Sequence, residues 1–158
     1  MKELRKINNK KGFTIIEMVI ALVIISVILL VVVPMGQAAT DNSRIANGIA
    51  SIKAIQTAAV QWANDNGGVY TGITFDKLAG SAGATTAYLP AQFTATSTNP
   101  WGGNYTVAVD ANNAEQVDIA MTAVPSVPAG KLTTALTKIS AVAPAYVAGT
   151  STWTIVLQ

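Results

Sequence analysis

The pattern of hydrophobic and polar positions begins with a long apolar run over residues 13–33, in which Glu17 is the one charged side chain. At a rise of about 1.5 Å per residue, this run makes a helix of roughly 32 Å, which matches the hydrocarbon core of a bilayer. A helix also satisfies every backbone group within a lipid-embedded segment. The run therefore predicts a transmembrane helix.

The helical period continues beyond this run as an amphipathic pattern. Apolar side chains recur at steps of three and four residues and form a single stripe, broken only at its last position (Ile45, Ile49, Ile52, Ile55, Ala59, Trp62 and Asn66). Asn66-Gly67-Gly68 then forms a typical helix stop. We expect one helix from about Phe13 to Asn66, its stripe covered either by a coiled-coil partner or by a β-sheet.

The remaining region, 67–158, has the pattern of a small sheet with short helices. Residues 67–102 are irregular, with one helical turn at Phe75–Leu78 and a Pro-led turn at Asn99-Pro100-Trp101-Gly102. Alternation predicts a hairpin of strands 105–109 and 116–124, an amphipathic helix, and a C-terminal strand. The helix is marked by Leu132, Leu136, Ile139 and Ala143 and ends at Pro144, and the strand buries Trp153, Ile155 and Leu157. The fold class expected is α+β, a long N-terminal helix packed on a small antiparallel sheet.

Charge is distributed unevenly along the chain. Hydrophobic residues make up 51% of it and charged residues 11%, with a formal net charge of +2. Five basic residues precede residue 13. From residue 13 onward the chain has five basic and seven acidic residues. The basic segment before an apolar helix is expected to stay in the cytoplasm. Cations are too sparse after residue 12 to predict direct nucleic-acid binding.

Candidate catalytic chemistry is scarce in this sequence. Cysteine and histidine are both absent, which removes thiol chemistry, disulfides, the usual zinc sites and the common nucleophilic triads. The oxygen-bearing side chains of 110–118 lack the spacing of a calcium loop, so a solvated turn is favoured over a metal site. We expect no enzyme activity, no cofactor and no metal.

Three interpretations of the apolar run remain open from the residues alone. It can be a plain single-pass anchor, or a secretory signal cut near Ala38, although the run is longer than a usual signal core. The third interpretation accounts for Glu17, because a carboxylate in a membrane segment is costly unless a partner neutralises it.

This third interpretation gains support from a resemblance. The segment Lys11-Gly12-Phe13-Thr14-Ile15-Ile16-Glu17, followed by the apolar helix, resembles the class III signal of type IV pilins. The resemblance implies cleavage after Gly12 by a prepilin peptidase and N-methylation of Phe13. The family's glutamate and proline, the fifth and twenty-second residues after the glycine, coincide with Glu17 and Pro34.

The resemblance also assigns roles and boundaries. Phe13, Thr14 and Glu17 become assembly residues, with the Glu17 carboxylate of one subunit meeting the Phe13 amine of its neighbour, and Pro34 and Gly36 become points where the helix bends. Ser26 departs from the glycine that many members carry at its position. The expected parts are a cleaved leader (1–12), a membrane and filament-core half-helix (13–34), an amphipathic half-helix (35–66) and a β-sheet head (67–158).

The head resembles that of type IVb pilins in its order of strand, strand, helix and strand. Such heads close their C-terminal region with a disulfide, which this chain lacks. We expect packing by Trp153 and Tyr146 to replace it. The short leader and Phe13 are instead features of type IVa members.

The function implied is that of a structural subunit of a type IV pilus. Its partners would be further copies of the chain, the prepilin peptidase and methyltransferase, and the inner-membrane assembly machinery. The precursor would lie in the inner membrane and the mature chain in an extracellular filament, with adhesion, motility, conjugation or DNA uptake left open as its use. The alternatives are a pseudopilin of type II secretion and a membrane-tethered binding domain that does not polymerise.

Overall fold

The computed structural model describes residues 12–81 and 86–158, so most of the predicted leader lies outside the described residues. Helix α1 runs from Ile15 to Asp65, within two residues of the predicted bounds at each end. Internal contacts divide the chain into two units, one ending at Thr40 and the other running from Asp41 to Gln158. Each unit is described by itself below.

The first unit is the apolar part of α1. Every side chain described from Phe13 to Val33 is exposed, including Phe13 at 81% and Ile15 at 87%. Such a surface is stable only against lipid or other apolar helices.

The second unit is built on a four-stranded antiparallel sheet. Its strands are β1 (Tyr105–Val109), β2 (Val117–Met121), β3 (Val142–Val147) and β4 (Thr152–Leu157), in the spatial order β1-β2-β4-β3. Two helices complete it, α2 (Phe75–Leu78) and α3 (Ser126–Leu136). The predicted hairpin and C-terminal strand are confirmed, and the structure places the C-terminal strand beside β2. This is the α+β arrangement expected from the resemblance.

One predicted element is wrong. The helix expected to continue through Ile139 and Ala143 ends at Leu136, and Ala143 and Pro144 belong to β3. Proline lacks an N–H, so it is tolerated in a sheet at an edge strand or a bulge. Pro144 meets both conditions. Its strand, β3, lies at the edge of the sheet, and the pairing register of β3 with β4 shifts, as at a bulge, between Val142 and Ala145.

The second strand is also shorter than predicted. It ends at Met121 rather than Val124, and Ala123 adopts a left-handed backbone with φ of 57°. The Val124 N–H leaves the ladder and donates to the Ser151 carbonyl at 2.9 Å. The chain therefore turns out of the sheet three residues early, before α3 begins at Ser126.

The sheet, not a coiled-coil partner, covers the amphipathic stripe of α1. Ile52, Ile55 and Ala59 are fully buried and share one hydrophobic core with the inward residues of the strands, among them Val117, Ile119, Met121, Trp153, Ile155 and Leu157. Full burial of one such aliphatic side chain stabilises the fold by about 1.5–3 kcal/mol. The stripe is confirmed from Ile45 to Trp62.

The turn at 99–102 is confirmed, and a buried asparagine organises it. Asn99 is 3% exposed, and its Oδ1 accepts the N–H groups of Trp101 at 2.9 Å and Gly103 at 3.1 Å. Its Nδ2 donates to the Thr122 carbonyl at 2.7 Å. Trp101 packs on α1 at Gly48, where an added Cβ would lie 3.0 Å from the indole.

A buried tryptophan ties the C-terminal strand to α3. Trp153 is fully buried, and its Nε1 donates to Thr133 Oγ1 of α3 at 3.0 Å. Tyr146 pairs with it across β3 and β4 and is half-buried. Both residues pack in the C-terminal region, and their replacement of a disulfide stays a prediction.

Candidate processing and assembly site

The site is the junction between the non-helical chain at 12–14 and the first turn of α1. Gly12, Phe13 and Thr14 are not helical, and α1 begins at Ile15. Gly12 is exposed, and a Cβ added to it would meet no atom within 4 Å. The packing of the described residues therefore does not require glycine at this position.

Thr14 and Glu17 form a capping box, the reciprocal arrangement in which an N-cap residue and the third helical residue satisfy each other's backbone. The Glu17 N–H donates to Thr14 Oγ1 at 3.2 Å, and the Thr14 N–H donates to Glu17 Oε2 at 3.3 Å. The Thr14 hydroxyl also donates to the same Oε2 at 3.4 Å. The carboxylate is thus held beside the first turn of its own helix.

The electrostatics of this position favour a carboxylate. The N-terminus of a helix carries a partial positive charge from its unpaired N–H groups, and Glu17 lies in the first turn of α1. In an apolar environment the hydrogen bonds that Glu17 Oε2 accepts from the Thr14 N–H and the Thr14 hydroxyl offset part of the cost of desolvating the carboxylate. The carboxylate lies three residues from Thr14, next to the position where cleavage before Phe13 would create an amine.

The sequence predicts one site that contains Phe13, Thr14 and Glu17, and the structure adds a contact between Thr14 and Glu17 that was not predicted. The sequence does contain a signal for this contact, because a threonine followed three residues later by glutamate just before an apolar run is the pattern of a capping box. The structure brings these two side chains together and leaves Phe13 exposed beside them.

The apolar surface that follows the site is long enough to cross a membrane. An 18-residue window of α1 reaches a mean hydropathy of 3.3, and none of it is buried within the chain. The hydroxyl of Ser26 donates back to the Leu22 carbonyl at 2.7 Å, so this polar group is satisfied within the helix. The segment presents an apolar surface along its length.

Positions 34 and 36, where bending is predicted, both lie within α1. The Gly36 carbonyl accepts the Thr40 hydroxyl at 3.0 Å. A Cβ at Gly36 would meet no atom within 4 Å. The bending role of Pro34 and Gly36 stays a prediction.

The acidic turn after β1 uses its first carboxylate for its own backbone. Asp110 Oδ1 accepts the N–H groups of Asn112 at 2.8 Å and Asn113 at 3.0 Å. Burial, and secondly the charge of Asp110, raise the pKa of the Asp118 carboxyl above its ordinary value of 3.8. These contacts are those of the solvated turn that the sequence favours.

The comparison with protein families bears on the N-terminal site. Residues 7–33 match the family model described as the prokaryotic N-terminal methylation motif. The chain has a type IV prepilin-like N-terminus. The match spans 27 of the 158 residues and includes Gly12, Phe13, Thr14 and Glu17. No curated protein and no solved structure matches the chain.

The match confirms the recognition made from Gly12 to Glu17. The prepilin-like N-terminus indicates a prepilin-type substrate, of pilin or pseudopilin type. The motif and the apolar helix together indicate membrane anchoring of the precursor. The match ends at Val33, so the type IVb assignment of the head stays a prediction.

Proposed function

We propose that this protein is the structural subunit of a type IV pilus, which polymerises through α1 into a surface filament. The observation that carries the proposal is the methylation motif at residues 7–33 on a helix whose apolar surface is exposed from Phe13 to Val33. A lipid bilayer covers this surface in the precursor, and neighbouring subunits cover it in the filament.

Maturation begins at Gly12. The prepilin peptidase cuts after Gly12 on the cytoplasmic side, and Phe13 is then N-methylated. The open surroundings of Gly12 support this step, because residues 12–14 are exposed and outside the helix, where a protease can reach the backbone. The preference for glycine belongs to that recognition.

Assembly then uses Glu17. In the isolated chain its carboxylate is bound to Thr14, and in the filament it would also meet the Phe13 amine of a neighbouring subunit. Two opposite charges about 4 Å apart attract by roughly 4 kcal/mol at an effective dielectric constant near 20, before desolvation is subtracted. A buried pair of this kind sets the register between subunits as much as it adds stability.

A pseudopilin of type II secretion shares the same N-terminal motif and is the second candidate. The surface of the head favours the pilus, because it is poor in charge and rich in threonine and alanine along the exposed face of the sheet, at Thr106, Ala108, Ala120, Ala145 and Thr154. A tethered binding domain that does not polymerise would leave Glu17 without a role in assembly.

The test is to shear filaments from the native cells and to measure the intact mass and the N-terminus of the main band. A chain that begins at N-methylated Phe13 and is abundant in sheared material supports the pilus subunit. The same N-terminus confined to the membrane fraction supports the pseudopilin. A chain that keeps Met1, or begins near Ala39, contradicts both.

A further inference from the structure

Asparagine precedes glycine at two places in the chain, Asn47-Gly48 and Asn66-Gly67. In such a pair the backbone nitrogen of the glycine can attack the side-chain carbonyl carbon of the asparagine, because glycine has no Cβ to obstruct the approach or to restrict the backbone angles. The attack closes a succinimide ring, and the amide proton leaves with the side-chain amino group as ammonia. Water then adds to one of the two ring carbonyls and leaves either aspartate or isoaspartate.

The first pair is held in the middle of α1. Both residues lie within the helix, where the Gly48 N–H is used as a donor to the preceding turn. Gly48 is also buried, and a Cβ added there would lie 3.0 Å from the Trp101 indole. The Gly48 nitrogen therefore cannot turn toward the Asn47 side chain unless this part of the core opens.

The second pair lies just beyond the end of α1. Asn66 and Gly67 are exposed, and Gly67 has a left-handed backbone with φ of 77°. The Asn66 and Gly68 N–H groups both donate to the Ala63 carbonyl, at 3.0 and 2.7 Å. No backbone carbonyl of the described residues accepts the Gly67 N–H between them, and a Cβ at Gly67 would meet no atom within 4 Å. The attacking nitrogen is therefore open to its surroundings.

One contact opposes the attack at the second pair. Asn66 Nδ2 donates to the Trp62 carbonyl at 2.8 Å, which directs the side chain back along the helix. This hydrogen bond is exposed, and an exposed side chain changes rotamer far faster than the ring can close. Breaking the bond slows the reaction by about two- to tenfold, the factor that corresponds to one net hydrogen bond, and does not prevent it.

We propose that Asn66 is a site of spontaneous deamidation and that the fold protects Asn47 from the same reaction. The reaction needs only water, and it does not depend on whether the chain polymerises. The product places a carboxylate at position 66, next to Asp65 and at the negative end of the α1 dipole. It also removes the donor to the Trp62 carbonyl, so the end of α1 should loosen with the modification.

The test compares the two pairs within one molecule. The full chain is incubated in detergent micelles at mildly alkaline pH, and its peptides are analysed by mass spectrometry for aspartate and isoaspartate at both positions. Asn66 should convert at least about a hundredfold faster than Asn47, because a helix end opens at almost no cost in free energy whereas the buried middle of α1 opens only with much of the core. In the urea-unfolded chain the two rates should be similar, since glycine follows each asparagine.

Two results would overturn the proposal. Equal rates at Asn66 and Asn47 in the folded chain would show that the fold does not distinguish the two pairs. An Asn66 that stays intact in the folded chain but converts in urea would show that the hydrogen bond to the Trp62 carbonyl protects it.

Asn66→Asp tests the consequence for the helix end, and Asn47→Asp is the matched control. Hydrogen exchange of the Gly68 amide should be about two- to fivefold faster in Asn66→Asp, the usual effect of a carboxylate at the negative end of a helix. The control should leave that exchange rate unchanged. Equal exchange in Asn66→Asp and the wild type would overturn the loosening of the helix end.

Discussion

Thr14 and Glu17 bind each other across the first turn of α1, with each side chain paired to the other's backbone N–H at 3.2 and 3.3 Å. This relationship gives the carboxylate two functions. It completes the start of a helix that has to lie in an apolar environment, and it holds a negative charge ready beside the position where the amine of a processed chain would be.

The two functions of Glu17 can be separated by substitution. Glu17→Gln keeps a side-chain oxygen for the Thr14 N–H but removes the charge, whereas Glu17→Ala removes both. We expect both variants to be inserted and cleaved, and both to yield few sheared filaments, because assembly requires the charge. Normal filaments from Glu17→Gln would show that the cap alone is needed, and normal filaments from Glu17→Ala would exclude both functions.

Thr14 tests the cap without touching the carboxylate. Thr14→Ala should destabilise the first turn by about 0.5–2 kcal/mol, the usual cost of losing an N-cap oxygen, and Thr14→Ser should have little effect. The measurement is the hydrogen exchange of the Glu17 amide in full-length protein in detergent micelles. Equal exchange rates in the alanine and serine variants would contradict the capping geometry.

The bond between Trp153 and Thr133 is a second target, since it ties α3 to β4. Thr133→Val keeps the shape but leaves the buried indole N–H unpaired, at a cost of about 1–3 kcal/mol. Thr133→Ser keeps the acceptor and is the control. Thermal unfolding of the full chain in detergent should show a lower midpoint for the valine variant, and equal midpoints would remove this bond from the stability of the head.

Among the glycines that the structure describes, Gly103 has the least space for an added side chain. A Cβ added there would lie 2.0 Å from the Thr122 carbonyl oxygen, which is backbone and cannot move aside without distorting the turn at Asn99. Gly103→Ala should therefore prevent the head from folding stably, whereas Gly149→Ala, which meets no atom within 4 Å, should change stability by less than about 0.5 kcal/mol. Limited proteolysis of both variants in membranes provides the comparison.

Asp118 predicts a dependence of stability on pH. The pKa of the Asp118 carboxyl in the folded state is raised above 3.8, so the folded state binds the carboxyl proton more tightly than the unfolded state does. The free energy of unfolding therefore falls as the pH rises from 3.8 through the folded-state pKa. Asp118→Asn should therefore unfold at a higher temperature than the wild type at neutral pH. The difference in unfolding temperature should vanish as the pH falls below 3.8, the ordinary pKa of this carboxyl. A difference of equal size at every pH would contradict the raised pKa of Asp118.

Much of the fold follows from local patterns. The spacing from Ile45 to Trp62 predicts the buried face of α1, and alternation predicts the hairpin and the buried side of β4. The helix wrongly extended to Ala143 shows where such patterns fail. Val142–Val147 has no clear alternation and contains Pro144, and it becomes a strand because β4 supplies hydrogen bonds to an edge that tolerates proline.

The sequence by itself determined the N-terminal segment, because the methylation motif, the capping pair Thr14 and Glu17, and the apolar run all lie within one short stretch that ends at Val33. Only the tertiary structure decided the contacts of the head. Three contacts each join residues at least 20 positions apart: Gly48 with Trp101, Asn99 with Thr122, and Thr133 with Trp153. No local period encodes such pairs, since they arise only when the sheet forms and brings distant segments to one core.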